Sequence, residues 1–159
     1  MLRSAARHRF GDTGAMAISV VPVLLLPTLD SERFERCSFS LQSHESLLTV
    51  FMAELPPFLI HFHRLRWHRC TPHAECVPAL IQGCDMAVAE VRESPALRAY
   101  VQRENVPARD ASALHHFRIY LGKGGCHEAF AQTVYASGHG KTSRAVASFA
   151  NRLRRAVNR

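Results

Sequence analysis

The stretch HFHRLRWHRCTPHAEC, residues 61–76, gathers four histidines, three arginines and two cysteines into sixteen positions. Two chemistries use such residue types. Cys70, His73 and Cys76 are spaced C-x2-H-x2-C, and Cys84 follows shortly after. Thiolates and an imidazole on a loop, completed by one later residue, suit tetrahedral zinc. Structural zinc sites, however, usually show two ligand pairs separated by a long loop, and here the donors form one crowded group. The second chemistry is contact with RNA. Arg64, Arg66 and Arg69 surround Trp67, with His63 and His68 beside them. Guanidinium groups hold phosphates, while indole and imidazole rings stack on unpaired bases. RNA contact is the leading expectation for this stretch, and zinc at Cys70, His73, Cys76 and Cys84 the lesser one.

A second motif, GHGKT at 138–142, has the order of a phosphate-binding loop. The full pattern needs a glycine five residues before Gly140, where Tyr135 stands. Nucleotide hydrolysis is therefore not expected, although Lys141 ahead of a helix start suits occasional phosphate contact. Acid–base and nucleophilic pairs are poorly supplied. His115 and His116 are adjacent and would diverge on a helix, and Cys126 beside His127 does not make a nucleophile and base by adjacency alone. No enzyme activity is expected, and no resident cofactor apart from the zinc alternative.

Charge is distributed unevenly around these motifs. The chain of 159 residues has a net charge of +7, and its basic residues are arginine except for Lys123 and Lys141. Residues 1–11 carry Arg3, Arg7 and Arg9 without an acid. Residues 129–159 carry Lys141, Arg144, Arg152, Arg154, Arg155 and Arg159, again without an acid. All 13 acidic residues lie between, against 11 basic ones, so a near-neutral body has two basic ends. Arginine-rich ends favour a polyanionic partner. Five cysteines, an odd number, fit free thiols rather than a disulfide framework.

The elements that must position these groups read as mainly α. The start MLRSAARHRF lacks acids and spaces Leu2, Ala6 and Phe10 along one helical face, as mitochondrial presequences do. The apolar run AMAISVVPVLLLP is split by Pro22, too short to cross a bilayer, and suits a strand or extended segment. Helical spacing recurs at Leu47, Leu48, Phe51, Met52 and Leu55, then at Phe58, Phe62 and Leu65, with a short strand as the alternative for FLIHFHRLRW. Val77, Leu80, Ile81, Cys84, Val88 and Val91 form the clearest stripe. Ser94–Pro95 opens a helix to about Glu104, Asp110 caps another through Leu121, and CHEAFAQTVYA fits helix or strand.

The expected organisation is a basic tail at 1–15, an extended segment at 16–40, a helical body at 41–137 and a basic C-terminal helix at 138–159, with about five to seven short helices in all. The function expected is that of a structural, RNA-contacting subunit of a large mitochondrial ribonucleoprotein in the matrix, the mitochondrial ribosome first among them. Its partners would be rRNA and neighbouring protein subunits, with no transmembrane span and no small-molecule substrate. Arg64, Arg66, Trp67, Arg69, Lys141, Arg144, Arg152, Arg154, Arg155 and Arg159 would carry the RNA contact. The alternatives are a supernumerary subunit of a respiratory-chain or ATP synthase complex and a small zinc-binding interaction module.

Overall fold

The run Glu45–Met52 shows how the chain departs from helix. Ser46, Leu48, Val50 and Met52 are buried, while Glu45, Leu47, Thr49 and Phe51 between them are half-buried. That is the two-residue period of a strand with one face on a core. The computed structural model describes residues 18–26, 29–41 and 45–137. Among them are nine strands: β1 (Val20–Leu25), β2 (Phe34–Leu41), β3 (Glu45–Met52), β4 (Phe58–His63), β5 (Trp67–Thr71), β6 (Ala87–Val91), β7 (His115–Tyr120), β8 (Cys126–Ala131) and β9 (Thr133–Ser137). The described helices are α1 (Pro78–Ile81), α2 (Pro95–Arg103) and α3 (Ala108–Ala111), two of them a single turn. The mainly α expectation is thus overturned: the described body is mostly β, in two antiparallel sheets.

Each misplaced helix has a local cause. The helix expected around 41–55 is the end of β2 followed by β3, and the one starting at Phe58 is β4 and then β5. The stripe from Val77 to Val91 is interrupted at Gly83, whose φ of 75° no helix contains, so it becomes α1 and then β6. The segment from Asp110 to Leu121 holds the end of α3 and strand β7. The ambiguous CHEAFAQTVYA is β8 and β9. Ser94 does start a helix: its Oγ accepts from the Leu97 N–H, 3.1 Å away, with Pro95 in the first turn of α2. The basic helix expected at 138–159 and the tail at 1–15 lie outside the described residues.

One sheet runs β1-β6-β7-β8-β5 and the other β2-β3-β4-β9. Their inner faces share one core, with Leu24, Val88, Phe117, Ile119, Ala129 and Ala131 from the first and Leu48, Val50, Ile60, Phe62, Val134 and Ala136 from the second. Phe62 meets Phe117 across it at 6.5 Å between ring centroids. Pro22 is accommodated because β1 is an edge strand and its register slips between Pro22 and Leu24.

The two sheets join at a corner. β4 pairs with β9 in one sheet, and their continuations β5 and β8 pair in the other. Two neighbouring chain segments thus change sheet side by side. They stay hydrogen-bonded through the bend: the Gln132 N–H donates to the His63 carbonyl at 3.1 Å, and the Arg66 N–H to the Phe130 carbonyl at 2.8 Å. Arg64 takes the turn at φ 49°. On the outer face of the first sheet, the segment around α1 covers a small second core of Cys84, Ala89 and Cys126. No helix among the described residues is long and apolar enough to cross a membrane.

Candidate functional site: a thiol–imidazole cluster beside the β4–β5 corner

Strand alternation places His68 and Cys70 of β5 on the face of the sheet that carries His127 and Ala129 of β8, since His68 pairs with Ala129 and Cys70 with His127. Arg69, one residue out of phase, pairs with Glu128 on the opposite face. From the other sheet, the edge strand β2 brings Cys37 and Phe39. Phe39 lies flat on His68, with ring centroids 3.6 Å apart. Cys37 Sγ is 3.4 Å and Cys70 Sγ 3.7 Å from Nε2 of His127. The other ring nitrogen of His127, Nδ1, is 3.1 Å from Nε2 of His68. Two thiols, two imidazoles and a phenyl ring from three strands therefore converge at one rim of the sandwich.

The environment favours the neutral form of each group. Burial, and then the neighbouring His127, lower His68 to about 4. Burial also lowers His127, partly offset by the Gly124 carbonyl. The Cys37 thiol is pushed up by burial and by Cys70, and the Cys70 thiol by burial and by Cys76. All five cysteines are free.

On the outer face of the same sheet, Glu128 is buried among cations. Arg118 donates to its Oε1 at 2.9 Å, and Arg69 donates to Oε2. His116 Nε2 lies 3.3 Å from Oε1 without completing a hydrogen bond, while His116 Nδ1 is 2.7 Å from Ser94 Oγ. Burial pushes the Glu128 carboxyl up, but His116, Arg69 and the Arg118 charge outweigh it and hold the group at about 2. Ser94, His116 and Glu128 are a serine, a histidine and an acid in a row, yet Ser94 is buried and its oxygen already caps α2. The row ties helix to sheet and leaves the hydroxyl unable to reach a substrate.

A similar relay crosses the outer face of the second sheet. Ser137 Oγ is 2.7 Å from His61 Nε2, His61 Nδ1 is 3.4 Å from Glu45 Oε2, and Tyr135 donates its hydroxyl to Glu45. The Tyr135 hydrogen bond holds the Glu45 carboxyl below its ordinary value. These are neighbours on β9, β4 and β3, and His61 also stacks on Tyr135. The relay lies on a half-exposed sheet face, where water competes for any charge developing at the serine.

The residues picked out by sequence are dispersed among these networks. Of the zinc set, Cys70 faces His127, whereas the His73 ring bonds the Tyr120 hydroxyl at 2.6 Å. The Cys76 thiol donates to the Thr71 and Pro72 carbonyls, and Cys84 is buried beside Cys126. The structure does not bring these four together, and no group of three donors among the described residues is arranged around a metal ion. Of the RNA set, Arg66 pairs with Asp110 and Arg69 with Glu128, both with heads about half exposed. Trp67 stacks on Phe130 at 4.5 Å, and Arg64 sits at the corner. Lys141, Arg144, Arg152, Arg154, Arg155 and Arg159 lie outside the described residues. Sequence reasoning missed Cys37 and His127 as partners of Cys70, because no local spacing connects residues 37, 70 and 127. No family model, curated protein or solved structure matches this chain.

Proposed function

We propose that the chain is a structural, non-enzymatic subunit of a large mitochondrial ribonucleoprotein, with the mitochondrial ribosome as the assembly in view, and that its basic ends contact RNA phosphates. The observation that carries this reading is charge segregation: every acid lies within residues 12–128, while 1–11 and 129–159 hold only basic charge. The β body supports the division of labour. Arg118 and Arg69 share Glu128, and Arg66 pairs with Asp110, so these arginines of the body already have acid partners. The C-terminal cations have no acid near them in sequence and suit a polyanion. Arg64, Arg66, Trp67 and Arg69 would form a secondary contact at the corner.

Two measurements test this. Sedimentation of the tagged chain from gently lysed mitochondria should show co-migration with ribosomal subunits that collapses after ribonuclease. A nuclease-resistant peak on membranes would instead favour a respiratory-chain or ATP synthase assembly. In vitro, the affinity of the full chain for single-stranded RNA should fall steeply with salt. Removing residues 138–159 deletes six cations, which should flatten the log–log slope by about four. An unchanged slope would place the RNA contact elsewhere or nowhere.

A further inference from the structure

Cys37 and Cys70 belong to edge strands of different sheets, β2 and β5, and reach the same imidazole. The stack of Phe39 on His68 sets how these strands face each other across the rim. Two residues further along each strand, in opposite directions, Cys37 comes opposite Cys70. The Gly124 carbonyl oxygen lies 3.9 Å from one thiol sulfur and 3.7 Å from the other, which brings both to the same spot. The geometry points to a redox-modification site: Cys37 and Cys70 exchange with a low-molecular-weight disulfide and close into a bond joining the two sheets, with His127 as the proton acceptor.

The steps balance. Cys70 is the exposed member and reacts first. Its thiol proton passes to Nε2 of His127, and its sulfur attacks one sulfur of the small disulfide. A mixed disulfide forms, and the departing small thiolate takes the proton from His127. Cys37 then gives its own proton to His127 and attacks the Cys70 sulfur. The second small thiol leaves, so two protein thiols become one disulfide as one small disulfide becomes two thiols. His68 is a positioning residue: its Nε2 lies 3.1 Å from Nδ1 of His127, and in the tautomer the proposal requires it accepts the Nδ1–H, which keeps the lone pair of His127 Nε2 towards the thiols. Within the cluster Cys70 acts on Cys37 and His127 on His68, and from outside it Cys76 in the segment after β5 reinforces the raised Cys70 thiol. Both thiols are therefore held protonated near neutrality, and exchange accelerates as pH rises. Cys84 and Cys126 also lie together but are fully buried, beyond the reach of a dissolved disulfide.

The test treats the reduced full chain with glutathione disulfide, quenches with acid, and reads intact mass and linked peptides. The expected product has lost two hydrogens and yields a peptide pair joined through Cys37 and Cys70. Cys37→Ser should accumulate one glutathionyl group on Cys70, and Cys70→Ser should slow the first step about tenfold. His127→Gln should slow exchange about tenfold or more and displace its pH profile upward. His68→Gln should displace the same profile while leaving the linked product unchanged. A link between Cys84 and Cys126 instead, or five thiols persisting in a folded chain, would overturn the proposal. So would a stoichiometric zinc ion that shields Cys37 and Cys70 until a chelator removes it.

Discussion

Glu128 illustrates how one carboxylate organises a face of this protein. It is buried, yet burial alone would favour a neutral acid, and the cations around it reverse that preference. Arg118 is buried as well, so removing its partner charge strands a guanidinium inside the fold. Glu128→Gln is expected to destabilise the protein by about 3–5 kcal/mol, read from the urea midpoint. An effect below about 1 kcal/mol would mean that water reaches Arg118. The pH dependence follows from the same groups. His68 binds a proton less readily folded than unfolded, so stability present above its ordinary value of 6.5 is lost as pH falls towards about 4. Glu128, with its folded value depressed to about 2, adds a second loss as pH falls below 4.5. Melting temperature should therefore decline in two stages on acidification, and His68→Gln should remove part of the upper one.

Whether an element was legible in the sequence depended on what covers it. Amphipathic helix α2 has an N-cap serine, a proline in its first turn and one exposed side, and all of these are visible in the residues. Strand β8 is buried at every position, because the second sheet covers one face and the α1 segment with its neighbours covers the other. A strand wrapped on both faces loses its alternation, so CHEAFA resembles a buried helix equally well. β7 is buried over four consecutive residues and lacks strand alternation for the same reason. In β3, Leu47 and Phe51 on the outer face are four residues apart, as are Leu48 and Met52 on the inner face, so apolar residues on both faces together mimic a helical stripe. The corner was hidden differently: Arg64 carries a left-handed turn with no glycine to announce it. The thiol–imidazole cluster depends on a sheet-to-sheet register that brings Cys37 and Phe39 to His68, Cys70 and His127, and no local spacing in the sequence announces it. Gly125 shows an element-level signal that can be tested. Its φ is 80°, and a Cβ there would overlap the Thr71 carbonyl oxygen on β5. Gly125→Ala should cost more than about 1 kcal/mol and, by parting β5 from β8, speed alkylation of Cys70. Unchanged stability would show that the turn relaxes freely.

At the scale of the molecule, the two sheets are covalently and hydrogen-bond continuous at the corner, where β4–β5 and β8–β9 cross together. At the β2–β5 rim the described contacts are side-chain ones, the Phe39–His68 stack and the thiols on His127. Joining Cys37 to Cys70 would tie that rim and close a loop of 34 residues. In the chain-entropy account, a loop of that size restricts the unfolded ensemble by about 3–4 kcal/mol. The oxidised chain should accordingly melt about 10 °C above the reduced one, provided the native rim accepts the bond without strain. Paired thermal melts, with and without a reductant, measure this directly. Cys37→Ser should melt at one temperature under both conditions, which separates the staple from any general effect of the reductant. An oxidised form that melts lower would mean that the rim must distort to admit the bond, and that the reduced, unlinked sandwich is the relaxed state.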